Sequence, residues 1–132
     1  MKLVLFCILA TQTQSMEDSN RHKGMRKRLA EKLYEKGIRD EKVLSAIQAI
    51  PRHFFLDKAF EEHAYEDKAF PIDEHQTISQ HYTIANQTEL LQVNKREKIL
   101  EIGTGSGYQS AVLAVLGVRL YTIERHELLH QK

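Results

Sequence analysis

The chain has 132 residues, a length that suits one domain with its own hydrophobic core and excludes two. Apolar residues make up 42% and charged residues 28%, an ordinary globular balance, and a formal charge of +1 excludes a broad electrostatic footprint for nucleic acid or anionic membrane. A single cysteine, Cys7, excludes an internal disulfide and a Cys-based zinc site, and is compatible with a reducing compartment.

Residues 1–15 differ from the rest. Lys2 precedes an apolar run over 3–10 and a polar stretch over 11–15, the shape of a short secretory leader. Met16 opens a polar segment, so an extension upstream of a start at Met16 stands as the second reading. The apolar run is too short to span a bilayer. The basic cluster between Arg21 and Lys32, partly balanced by Glu31 and Glu35, reads as a solvated helix face.

From 25 to 36 the apolar positions Met25, Leu29, Leu33 and Tyr34 recur at helical spacing, and Gly37 is a natural stop. Asp40 reads as the N-cap of a second helix with Val43, Leu44, Ile47 and Ile50 on one face, ended by Pro51. Phe54, Phe55, Leu56, Phe60 and Tyr65 read as core or a packing collar. Periodicity is lost over 66–81, which predicts an irregular polar segment with short extended pieces. Long loops of this kind between ordered elements are more often functional than idle. A helix over 82–91 is expected to bury Ile84, Ala85, Leu90 and Leu91.

The last third has another texture. Residues 98–102 predict a short buried strand, 108–116 a helix, Gly117 its stop, and 118–123 a second strand of β-branched and aromatic residues. A further helix is expected after Glu124. Strand, glycine turn, helix and strand make a βαβ unit, hence parallel strands and a right-handed crossover. A parallel sheet needs helices on both faces and more than two strands. The expectation is therefore the front half of a doubly wound α/β domain, behind an N-terminal helical layer.

Between the two strands lies Glu101-Ile102-Gly103-Thr104-Gly105-Ser106-Gly107-Tyr108. Tyr108 stands where the dinucleotide fingerprint G-x-G-x-x-G needs its last glycine, and no Gly-Lys-Ser/Thr follows to make a P-loop. What remains is a tight turn at a strand's carboxyl end, where missing side chains let a cofactor approach the backbone. Glu124 ends the next strand about twenty residues on, where a carboxylate can accept from both ribose hydroxyls of a nucleoside. Glu101, just before the loop, can face an ammonium group or loop amides.

The run from Leu100 to Ala114 resembles the cofactor motif of the protein-L-isoaspartate O-methyltransferases. So do Ile50-Pro51-Arg52-His53-Phe54, Ala64-Tyr65-Glu66-Asp67, Gln76-Thr77-Ile78-Ser79 and Tyr121-Thr122-Ile123-Glu124-Arg125, in the family's order and spacing. The resemblance implies a Rossmann-like S-adenosylmethionine-dependent methyltransferase fold, first half only, with 16–132 as the N-terminal part of that domain. It implies methyl transfer from S-adenosylmethionine to the carboxylate of L-isoaspartyl or D-aspartyl residues in damaged proteins, a repair reaction. By resemblance Ser79 is the active-site position, and Gln76, Thr77, Ile78, Glu101, Gly103, Thr104, Gly105, Gly107 and Glu124 hold the cofactor. Isoaspartyl-containing proteins and peptides would be the partners of a cytoplasmic monomer, with no nucleic acid and no stable membrane contact; export is the alternative if 1–15 act as a signal. Two positions depart from the family pattern. Asp73-Glu74-His75 follows Pro71-Ile72 where a glycine is usual, adding acidic charge near an acceptor carboxylate, and His81 replaces a proline after Ser79-Gln80.

Two other readings come from the same residues. His126-Glu127-Leu128-Leu129-His130 matches H-E-x-x-H, which on a helix sets two imidazoles one turn apart for zinc, although only two residues follow His130 and no third ligand has a supporting pattern. A non-catalytic methyltransferase fragment is the other. No metal is expected for the main reading.

Overall fold

A computed structural model describes residues 17–131, so the leader-like segment 1–15 lies outside the described residues. Helix α1 spans Asn20–Glu35 and starts earlier than its apolar periodicity, because Ser19 caps it: the hydroxyl accepts from the His22 amide at 3.3 Å. Leu29 and Leu33 are buried as expected, but Tyr34 is 53% exposed and lies under the Arg39 guanidinium, 4.3 Å from the ring centre. The basic face is not wholly solvated either. Arg26 turns inward, bonds both oxygens of Asp18 at 2.7 and 2.9 Å, and donates its Nε to the Gln48 carbonyl at 2.8 Å.

Helix α2, Glu41–Ala49, starts at Asp40, whose Oδ1 accepts from the Lys42 and Val43 amides. Val43, Ala46, Ile47 and Ile50 join Leu29 and Leu33 in the core. The aromatic stretch then divides over two 3-10 turns, Arg52–Phe55 and Lys58–His63. Leu56 and Tyr65 are buried and Phe55 and Phe60 pack against the core, whereas Phe54 is exposed.

The irregular segment contains a small antiparallel hairpin, β1 (Phe70–Pro71) with β2 (Thr77–Ile78), pairing Phe70 with Ile78 and Pro71 with Thr77. Helix α3, His81–Leu91, buries His81, Ile84, Ala85 and Thr88. Leu90 and Leu91 are 74% and 52% exposed, against expectation. Leu90 falls off the buried stripe, and Leu91 sits in the last turn.

Strands β3 (Lys98–Ile102) and β4 (Arg119–Ile123) pair in parallel from Lys98–Arg119 to Ile102–Ile123, and α4 (Tyr108–Val115) makes the crossover. The α/β character and the parallel βαβ unit are thus as expected. The strand is not buried, however: Leu100 is 58% and Ile102 80% exposed, with Tyr121 and Ile123 both at 54%. Among the described residues the sheet has two strands, and these side chains have no layer over them. Gly117, at φ +81°, ends α4, and α5 is a short helix, Glu127–His130. No helix among the described residues is long and apolar enough to cross a membrane.

Candidate cofactor-binding site

Parallel register brings the carboxyl ends of β3 and β4 to one edge, and this places the site. Gly103 continues the pairing by donating to the Ile123 carbonyl at 2.7 Å, and Gly107 folds back onto the Thr104 carbonyl at 2.9 Å. Gly103, Gly105 and Gly107 have φ of +86°, +57° and +81°, so the turn needs glycine at all three places. A Cβ at Gly103 would meet no atom within 4 Å, which leaves that side of the backbone open.

Glu124 follows β4 and is held by the loop it faces. Its Oε2 accepts from the Gly105 amide at 2.8 Å and its Oε1 from the His126 amide at 2.9 Å. These bonds, the His126 amide first, hold its carboxyl below the usual carboxylate range. Each oxygen keeps a second lone pair, so the carboxylate is oriented and still able to accept from two neighbouring hydroxyls. Glu101, at the other side of the loop, accepts from the Ser110 hydroxyl, while burial raises its pKa.

Two adjoining clefts share Thr104, Gly105 and Ser106. The smaller, about 270 Å³, is lined by Thr77, Ile78, Ser79, Glu101 and Gly103. The larger, about 940 Å³, is lined by Gly107, Thr122, Glu124 and an aromatic wall of Phe54, Phe55 and Phe60. The hairpin therefore brings residues some twenty-five positions upstream onto the glycine loop. Thr77 and Ser79 are exposed, with Ile78 buried between them as the anchor. Gln76 is in neither lining; its side-chain amide donates to the Glu74 carbonyl at 3.2 Å, within the hairpin loop. Sequence reasoning did not single out Ser110 or the wall phenylalanines as site residues. For Ser110 a signal existed, a hydroxyl in the first turn of the helix that follows the loop.

The H-E-x-x-H residues do not take the geometry that motif requires. His126 precedes α5, with φ −85° and ψ 113°, so the two histidines do not both stand on a helix as the motif needs. Its Nδ1 lies 3.6 Å from Glu74 Oε2 on the hairpin. Among the described residues the only grouping of three metal-ligating side chains is Asp18, His22 and His53, and there Asp18 already pairs with Arg26.

A glycine turn and an oriented carboxylate at the carboxyl edge of a parallel βαβ unit, under a helical layer, define a Rossmann-like α/β protein. Residues 24–132 match the family model for protein-L-isoaspartate(D-aspartate) O-methyltransferase (PCMT), and the chain belongs to that family. It is 59% identical over 117 residues to the protein-L-isoaspartate O-methyltransferase of Christiangramia forsetii and 60% identical over 117 residues to that of Cytophaga hutchinsonii. Each alignment takes 89% of this chain and 55% or 53% of the relative, so the chain spans about half the length of the curated relatives it matches. Among solved structures, a protein-L-isoaspartate O-methyltransferase aligns with a TM-score of 0.71 at 28% identity, over 80% of this chain and 36% of that one. A structure from Plasmodium falciparum, described as a beta-aspartate methyltransferase in complex with S-adenosyl-L-homocysteine, aligns with a TM-score of 0.66 at 25% identity, over 84% and 52%.

Proposed function

We propose that this site holds S-adenosylmethionine and serves methyl transfer to the carboxylate of L-isoaspartyl and D-aspartyl residues in damaged proteins and peptides. The observation that carries the reading is the single cleft in which Thr77, Ile78 and Ser79 of the hairpin meet Glu101 and Gly103 of the glycine loop. The residues present fit the cofactor. Gly103, Thr104, Gly105 and Gly107 give it an open backbone surface, and Glu124, aimed by two amides, accepts from its ribose hydroxyls. Glu101 offers a half-buried carboxylate to an ammonium group. Thr77 and Ile78 close the hairpin side, and Gln76, outside both clefts, acts by shaping the turn that carries them.

The bound cofactor supplies an activated methyl on a sulfonium, and a carboxylate is already a nucleophile at neutral pH. What the protein has to do is align the two and exclude water. Ser79 is the residue on the acceptor side: its hydroxyl orients the acceptor carboxylate by hydrogen bonding and forms no covalent bond. Repair of damaged proteins by a cytoplasmic monomer goes with this reading; cell fractionation and size-exclusion chromatography test those two points.

S-adenosylhomocysteine at about a hundred times its Kd should stabilise the fold by about 2.7 kcal/mol in thermal or denaturant unfolding. The Glu124→Ala variant should lose that stabilisation. Methylation of an isoaspartyl peptide, abolished in Ser79→Ala, tests the reaction. Binding without methylation would leave a non-catalytic cofactor-binding unit, and no binding would overturn the cofactor assignment.

A further inference from the structure

Arg52 is fully buried, yet its guanidinium meets carbonyls rather than a carboxylate. Its Nη1 donates to the Ser79 carbonyl at 2.7 Å and its Nη2 to the Lys68 carbonyl at 3.0 Å. Its Nε has no hydrogen-bond partner among the described residues. The group lies over the Tyr108 ring, 5.1 Å from the centroid. A cation buried on such terms is expensive, and an apolar side chain of similar volume would fill the space with less desolvation. What the arginine adds is geometry, because its planar fork holds two acceptors at fixed separation.

Those two acceptors flank one hairpin. Lys68 precedes β1 and Ser79 follows β2, so Arg52 clamps the open end of the hairpin that carries Thr77 and Ile78. Tyr108 is the first residue of α4, directly after the glycine loop. The clamp continues beyond it: the Tyr108 hydroxyl lies 3.4 Å from His81 Nδ1, and His81 Nε2 lies 3.0 Å from the Ala64 carbonyl. One buried side chain thus ties the acceptor-side loop to the start of the cofactor-side helix.

We propose that Arg52 is a positioning residue for methyl transfer, fixing the Ser79 backbone relative to the glycine loop; this rests on the reading of Ser79 as the acceptor-side residue. Arg52→Lys keeps the charge but replaces the planar two-nitrogen fork by a single nitrogen, and Arg52→Met removes the donors. The measurements are thermal unfolding, S-adenosylhomocysteine affinity, the Ser79 carbonyl carbon shift read through the Gln80 amide, and kcat and KM for an isoaspartyl peptide. The carbonyl shift should move in both variants. The kcat should fall about 100-fold in Arg52→Met and less in Arg52→Lys, with cofactor affinity falling by a smaller factor than kcat. A folded variant with unchanged kcat and unchanged carbonyl shift overturns the assignment, as does failure of both variants to fold, which would make Arg52 a purely structural residue. If the wild-type chain transfers no methyl, the functional reading of the site fails. The clamp is then judged on the Ser79 carbonyl shift alone, and no movement overturns it.

Discussion

Replacing His75 by glycine should make this protein more stable. His75 and Glu74 stand at φ 54° and 58° in the loop between β1 and β2, closed by Ile72 donating to the Gln76 carbonyl at 2.9 Å and Gln76 donating to that of Asp73 at 3.2 Å. The left-handed conformation costs a residue with a Cβ roughly 1–2 kcal/mol. Glycine removes that strain but adds about 0.5–1 kcal/mol of unfolded-state entropy. The net for His75→Gly is a gain of about 0.5–1 kcal/mol, read as a rise of about 2–6 °C in Tm. His75 is the cleaner position, because Glu74 also faces His126 at 3.6 Å and would lose that weak pair. Thermal unfolding, together with urea titration at unchanged slope, measures the gain. His75→Val should shift stability the other way, since a β-branched side chain tolerates positive φ poorly. A His75→Gly variant less stable than wild type, or a His75→Val variant equal to it, would show that the loop does not hold this strain.

Ile47→Ala, at a site with no solvent exposure, should cost about 2–5 kcal/mol in urea unfolding, because the α1–α2 core cannot collapse around the missing atoms. Asp40→Ala removes the acceptor for the Lys42 and Val43 amides and should cost about 0.5–2 kcal/mol by the same measurement. Burial, then the nearby Arg52 charge, pushes the His81 pKa down to about 3. The folded state therefore binds this proton more weakly than the unfolded one. Stability should fall as pH drops from about 6.5 toward 3, and thermal melts of His81→Gln across that range should show a flatter profile. Glu101 has the opposite sign: burial raises its pKa, so its contribution is lost as pH rises above the ordinary carboxylate range. Glu101→Gln should melt higher than wild type at neutral pH relative to its position at pH 4, because burial outweighs the Ser110 hydrogen bond.

Features written in a few neighbouring residues could be read directly from the chain. Asp40 as a cap, Gly117 as a stop and the parallel βαβ unit follow from local rules: a side chain meeting nearby amides, a backbone forced to positive φ, and a hydrophobic period. The glycine turn and Glu124 were legible for the same reason, since strand length and crossover set their separation, and five ordered sequence blocks pointed to the family. Other features depend on which surfaces meet. Nothing local marks Arg26 and Arg52 as buried cations among exposed ones, or Phe54 as the exposed member of an aromatic run. The burial of Leu90, Leu91, Leu100 and Ile102 was misjudged because apolar character says that a side chain gains by being covered, not that another layer lies over it. Only the tertiary structure brought Ser79 to the edge where Glu101 and Gly103 line the same cleft, and set the buried Arg52 within hydrogen-bond distance of its carbonyl. Contacts between distant segments are decided by the packing of the whole core, and no single stretch of the chain contains them.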